Sequence, residues 1–173
     1  MLSGVNQPWK RQKIMKMRSR SVRVTNRNKK HALNEAFVEK LSSEILRVLK
    51  RAKDAEIEVV FLDDKDIRKL NRQFKKEDMA TDVLSFRIDR EEFGREKFLG
   101  EVVISLDTAF RNSKLFGTDA EYEIIRYVIH GMLHLFGYDD QTEKDRSEMW
   151  AKQEKLLSEL CKRESLSKVL TRR

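Results

Sequence analysis

The stretch that most constrains this chain spans residues 118–136. Ile124, Ile125, Val128, Ile129, Met132, Leu133 and Phe136 recur there at helical spacing and cover more than one face. A helix apolar on several sides cannot lie on a surface, so the rest of the chain must pack around it. The same stretch carries His130 and His134, two of only three histidines in the chain. Polar rings in so apolar a helix need partners.

The flanking periodicities predict what surrounds that helix. Residues 21–26 alternate Val22 and Val24 with polar neighbours, a short strand. Asn34 is placed to cap a helix running to about Lys53, with Phe37, Leu41, Ile45, Leu46 and Leu49 inward. Residues 55–62 are β-rich, and Asp64 can cap a helix over 65–76 that buries Ile67, Leu70 and Phe74. Residues 81–88 and 98–106 read as antiparallel strands around a charged turn containing Gly94. Asp107 or Thr108 begins a short helix ending near Gly117, and residues 142–160 form a last amphipathic helix on Met149, Trp150, Leu156 and Leu157. The fold class expected is α+β: one domain, a small mixed sheet of about four strands packed by about five helices, the central helix buried.

Charge divides the chain. The net charge is +8, yet residues 1–30 hold ten basic groups and no acid, while 31–160 hold 22 basic against 28 acidic groups. We therefore expect a basic, flexible arm at 1–20, a folded domain at 21–162, which the motif described below makes a catalytic metalloprotein domain, and a basic C-terminal tail at 163–173. Met15 and Met17 allow part of the arm to be an upstream start, and its acid-free composition is also that of an organellar targeting segment, although it is poor in serine. The single cysteine, Cys161, excludes an internal disulfide or a cysteine-rich zinc module. No apolar run nears the roughly 18 residues of a membrane span, so no membrane partner is expected. The expected compartment is the reducing cytoplasm.

The chemistry-bearing segment is H-x-x-x-H-x-x-G-x-x-D over residues 130–140. Histidines four apart on a helix share a face, close enough for both rings to reach one cation. Gly137 can take a left-handed conformation and reverse the chain. That reversal brings Asp140 back as a third, oxygen ligand, with Asp139 as its competitor. Three ligands and an open position form the layout of a catalytic zinc site. The spacing also looks like that of metzincin proteases, which place a glutamate directly after the first histidine as general base. Here that position is Gly131, which leaves a metalloprotease without its base.

The string H-G-x-L-H-L-x-G-Y-D at 130–139 resembles the signature of the YbeY family, metal-dependent endoribonucleases of ribosomal RNA maturation. Leu70-Asn71-Arg72-Gln73-Phe74, Asp78 and the run TDVLSF at 81–86 resemble that family's central block, and LGEVVIS at 99–105 its next strand. The likeness extends over roughly 55–160. The family usually closes its metal motif with a third histidine where this chain has Asp140. It has Arg where Lys75 stands, Pro at Ala80 and Asp at Glu101. Aspartate is an accepted zinc ligand, but it is harder and anionic, so it makes the cation less acidic and admits other divalent ions.

The resemblance implies metal-dependent, single-strand-specific endoribonuclease activity on rRNA precursors, with ribosomal subunits as further partners and one divalent ion, zinc by ligand type. His130, His134 and Asp140 would hold the ion. Lys75 would face the developing charge of the scissile phosphate, a role needing a cation, and Asp82 would hydrogen-bond a ligand histidine. The blander alternatives are a solvated helix end for Lys75 and a carboxylate satisfied by backbone for Asp82. Arg72, Lys75, Lys76 and Arg87, placed by the predicted elements near one sheet end, are the candidate RNA contacts. Tyr138 and Phe86 either stack a base or belong to the core. The alternative function is a non-catalytic RNA- or ribosome-binding module of the same fold.

Overall fold

The computed structural model describes residues 22–49, 55–88 and 98–171. The basic arm at 1–20, the end of the first helix near Lys53 and the turn at Gly94 lie outside those residues. Within them the order is β1 (Val22–Asn26), α1 (Glu35–Leu49), β2 (Glu56–Leu62), α2 (Asp64–Lys75), β3 (Val83–Arg87), β4 (Phe98–Ser105), α3 (Leu106–Phe116), α4 (Ala120–Leu135) and α5 (Glu143–Arg163). The α+β reading holds, with four strands and five α-helices among the described residues.

The sheet order is β1-β2-β4-β3. β1, β2 and β4 run parallel, and β3 pairs antiparallel with β4 from Val83 opposite Ile104 to Arg87 opposite Gly100. All eight residues of β4 are buried, as expected of a strand covered on both faces. Alternation along the strands then sorts side chains to two layers. Val59, Phe61, Val83, Val102 and Ile104 face a large core shared with α1, α3, α4 and α5. Val60, Leu62, Leu84, Phe86 and Val103 face a smaller one closed by Ile67 and Phe74 of α2. The central helix is as buried as its sequence demands: Ile124, Ile125, Val128, Ile129, Met132 and Leu133 are all inaccessible.

The structure shifts several boundaries for local reasons. Asp63, not Asp64, caps α2: it is extended and its carboxylate accepts the Asp66 amide, freeing Asp64 for other work. Lys76 leaves the helix in a left-handed conformation (φ 64°). Ser105 caps α3 by accepting the Thr108 amide, so the helix starts at Leu106. Asn34 caps α1 as expected, and Thr142 caps α5 by accepting the Asp145 amide. Two differences are larger. Trp150, which periodicity places in the core, is 63% exposed. The described part of the segment 163–173 is docked on the domain: Val169 is fully buried, its carbonyl accepts the Asn34 amide, and Leu170 bridges to Leu33. A basic composition hides that anchorage, because one valine and main-chain hydrogen bonds carry it.

Candidate metal centre

The site is built by the last turn of α4 and the reversal that follows. His130 and His134, one turn apart, bring their Nε2 atoms to 3.1 Å with ring planes at 81°. Gly137 then adopts φ 87°, its amide donates to the His134 carbonyl at 3.0 Å, and the Tyr138 amide donates to Leu133 at 3.1 Å. These two bonds form a Schellman reversal, which a residue with a Cβ enters only at a cost. The chain turns back and carries Asp140 to His134, Oδ2 to Nε2 3.8 Å. One ligand atom from each of His130, His134 and Asp140 lies within 4.8 Å of the others. Asp139, the competitor, turns its carboxylate to the Asp140 amide at 2.8 Å and stabilises the loop.

The hydrogen bonds around the rings fix their chemistry. His134 Nδ1 lies 3.1 Å from the Tyr138 carbonyl, which can only accept, so Nδ1 carries the hydrogen and Nε2 a lone pair. His130 Nδ1 lies 2.9 Å from Gln153 Oε1. The Gln153 amide is held in that sense because its Nε2 donates to Glu154 at 3.3 Å. In the neutral rings both Nε2 atoms therefore present lone pairs across 3.1 Å, an arrangement that repels unless positive charge lies between them. Nitrogen, nitrogen and carboxylate oxygen fit a borderline divalent cation such as zinc. Burial first, and the adjacent His130 ring second, push His134 below the usual histidine range, outweighing the pull of Asp140 and the Tyr138 carbonyl. The ring is thereby kept neutral, the form that ligates.

Two residues that the sequence reading missed complete the surroundings. Gln153 is buried and orients His130 from α5. Arg146 donates through Nε and Nη2 to the Asp140 carbonyl at 3.3 and 3.2 Å, fastening the returning loop to α5. They are seven apart and so share one helical face. That spacing was the only available signal, and it says nothing about which helix lies opposite.

The other expected site residues fall in different places. Asp82 does not bond a ligand histidine: its Oδ1 takes the Val83 amide at 2.8 Å and the Thr81 hydroxyl at 3.1 Å, the backbone-satisfied alternative. Phe86 is buried edge-on to Phe74, so it is core and no stacking surface. Tyr138 is half-buried against the main core. Arg87 Nη1 lies 3.7 Å from where a Cβ on Gly137 would stand, beside the turn that carries Asp140 back to the histidines. Arg72 and Lys75 are exposed in the last turn of α2, and Lys76 Nζ donates to the Gln73 carbonyl at 3.2 Å. The Phe74–Phe86 contact places that turn at the Arg87 end of β3, as expected, but on the sheet face opposite α4. The cation residues thus lie around the edge strand rather than on one surface.

Gly131 explains why no general base occupies the motif. A Cβ there would stand 2.2 Å from Val102 Cγ1 and 3.0 Å from Val83 Cγ1, and the Gly131 carbonyl accepts the Ser85 hydroxyl at 3.0 Å. The position faces the sheet, so a glutamate would be driven into the core.

A family model described as Endoribonuclease YbeY matches residues 23–161. The chain is 39% identical over 141 residues to the Endoribonuclease YbeY of Aquifex aeolicus, covering 81% of this chain and 93% of that relative. It is 39% identical over 146 residues to that of Pelotomaculum thermopropionicum, covering 80% and 96%. To the Myxococcus xanthus protein of that name it is 46% identical over 106 residues, spanning 36% of that longer relative. Among solved structures it is similar to the solution structure of TM1509 from Thermotoga maritima, with a TM-score of 0.56, 30% identity, and coverage of 80% of this chain and 88% of that one.

Proposed function

Because the chain belongs to the endoribonuclease YbeY family, we propose that it is a metal-dependent, single-strand-specific endoribonuclease acting on ribosomal RNA precursors, in the cytoplasm and in contact with ribosomal subunits. The observation that carries the reading is the pair of Nε2 atoms facing each other at 3.1 Å with Asp140 beside them. His130, His134 and Asp140 would hold one divalent cation, zinc by donor type. When present, that cation supplies Lewis acidity, neutralising phosphate charge and making water a better nucleophile.

The chain's own residues do the rest. Gln153 and the Tyr138 carbonyl hold the two imidazoles in the tautomer that aims Nε2 at the common point. Arg146 holds the main chain of Asp140 in place. Arg87, at the turn, is placed to take a phosphate flanking the scissile one, and Arg72, Lys75 and Lys76 extend the positive charge around the β3 edge. Catalysis by Lys75 requires the RNA to wrap that edge, since α2 covers the other face of the sheet. Asp82 acts through main-chain geometry at the start of β3.

The test is His134→Ala. The purified protein should contain one cation per chain and cut single-stranded RNA. The variant should lose both while keeping its far-ultraviolet circular dichroism. Full cleavage by that variant, or by protein stripped with a strong chelator, would refute the reading. A variant that loses metal without loss of RNA binding, paired with a wild type that never cuts, would favour the binding-module alternative.

A further inference from the structure

Trp150 presents an indole 63% exposed in the middle of α5. Its place on the helix gives that exposure meaning. Arg146 lies one turn before it and Gln153 three residues after, so all three share a face. Arg146 grips the carbonyl of Asp140 and Gln153 orients His130, which makes this the face of α5 turned to the metal centre. On α4, half-buried Tyr122, Arg126, His130 and His134 recur every four residues, and the Tyr122 hydroxyl reaches Glu154 across the two helices at 3.5 Å. An aromatic face is thus held between the two contacts that brace the cation ligands. Two of the three guanidinium nitrogens of Arg146 are engaged, and Nη1 has no hydrogen bond to a described residue. Glu154, the acid one turn beyond Trp150, is occupied by Gln153 and Tyr122.

We propose that Trp150 is a base-stacking platform for a nucleotide adjacent to the scissile phosphate, with Arg146 Nη1 taking that nucleotide's phosphate. The inference rests on the ribonuclease reading above. A flat apolar ring beside an anion-binding group and a cation site matches a base flanked by two phosphates. Every base has a π-face, so the contact favours unpaired strands without selecting sequence. It gives single-strand specificity a physical source, because a base held in a duplex cannot leave its stack to lie on the indole.

The chain has two tryptophans, Trp9 and Trp150, so Trp9→Phe leaves Trp150 as the sole reporter. Titrating that protein with a 2′-O-methyl single-stranded octanucleotide, checked intact afterwards, should quench its emission to saturation, and the matching duplex should not. Trp150→Ala should raise KM for single-stranded RNA by about tenfold with kcat little changed and unaltered thermal stability, and Trp150→Phe should recover most of the loss. Phe116→Ala, which trims an exposed ring on α3, should change nothing. Absent quenching, equal quenching by the duplex, or an unchanged KM in Trp150→Ala beside an active wild type would overturn the stacking role alone. A wild type that leaves RNA intact would overturn the reading beneath it as well.

Discussion

Single side chains decide whether two histidines are ligands or merely core. Gln153 fixes the tautomer of His130 from a neighbouring helix, and such orienting partners are typically worth 10–100-fold in metal affinity. Gln153→Ala should therefore weaken cation binding by about that factor, measured by competition with a chromophoric chelator, and leave the fold intact. An unchanged affinity would show that the α4 backbone alone orients the ring. The depressed pKa of His134 has a signed consequence. Protons compete for Nε2 only below the usual histidine value of 6.5, so cation binding should hold through neutral pH and decline in a window lying below 6.5. Loss of binding already at pH 7.5 would contradict it. The convergence of His130, His134 and Asp140 was legible in sequence because helix spacing and a glycine stop are local facts. Gln153 and Arg146 were not, because their roles depend on how α5 lies against α4.

At the scale of elements, the histidine-bearing helix α4 is positioned by a gap in its own side chains. Gly131 lets α4 settle onto β3 and β4, with Val102 where a methyl group would have to go. Gly131→Ala should push the helix off the sheet and cost about 1–3 kcal/mol, the usual range for overpacking, read from urea unfolding, with metal affinity falling alongside. A variant as stable as wild type would mean that α4 has slack the packing does not suggest. The elements themselves were largely readable from periodicity and capping residues, and the errors are informative. Asp63 and Ser105 cap because each sits one residue before the helix in extended backbone, whereas Asp64 turns to Ser105, Thr108 and Arg111. Trp150 misled because an aromatic at a helical apolar position is usually core. Nor could periodicity say that α2 and α4 take opposite faces, which is what separates Lys75 from His130, His134 and Asp140.

For the molecule as a whole, chemistry and cohesion occupy opposite ends of the sheet. The candidate metal centre lies at the Gly100–Arg87 end, and a charged network closes the other, where β2 and β4 finish. There Asp107 accepts from Lys30 Nζ, Asn28 and the Asp64 amide. Burial alone would raise the Asp107 carboxyl, yet these donors together hold it below its ordinary value of 3.8. A carboxylate depressed in the fold stabilises it above the unfolded pKa and loses that contribution as pH falls. Urea midpoints should accordingly drop as pH is lowered below about 4, and Asp107→Asn should flatten that slope while leaving RNA cleavage at neutral pH unchanged. The Schellman reversal at Gly137 carries one last consequence. Two donors sit on the helical side of that hinge and the third on the returning strand of loop, so a cation would rivet the two segments to each other. Deuterium uptake at the amides of residues 137–140 should slow on loading, while the amides of β2 and β4 exchange at their former pace.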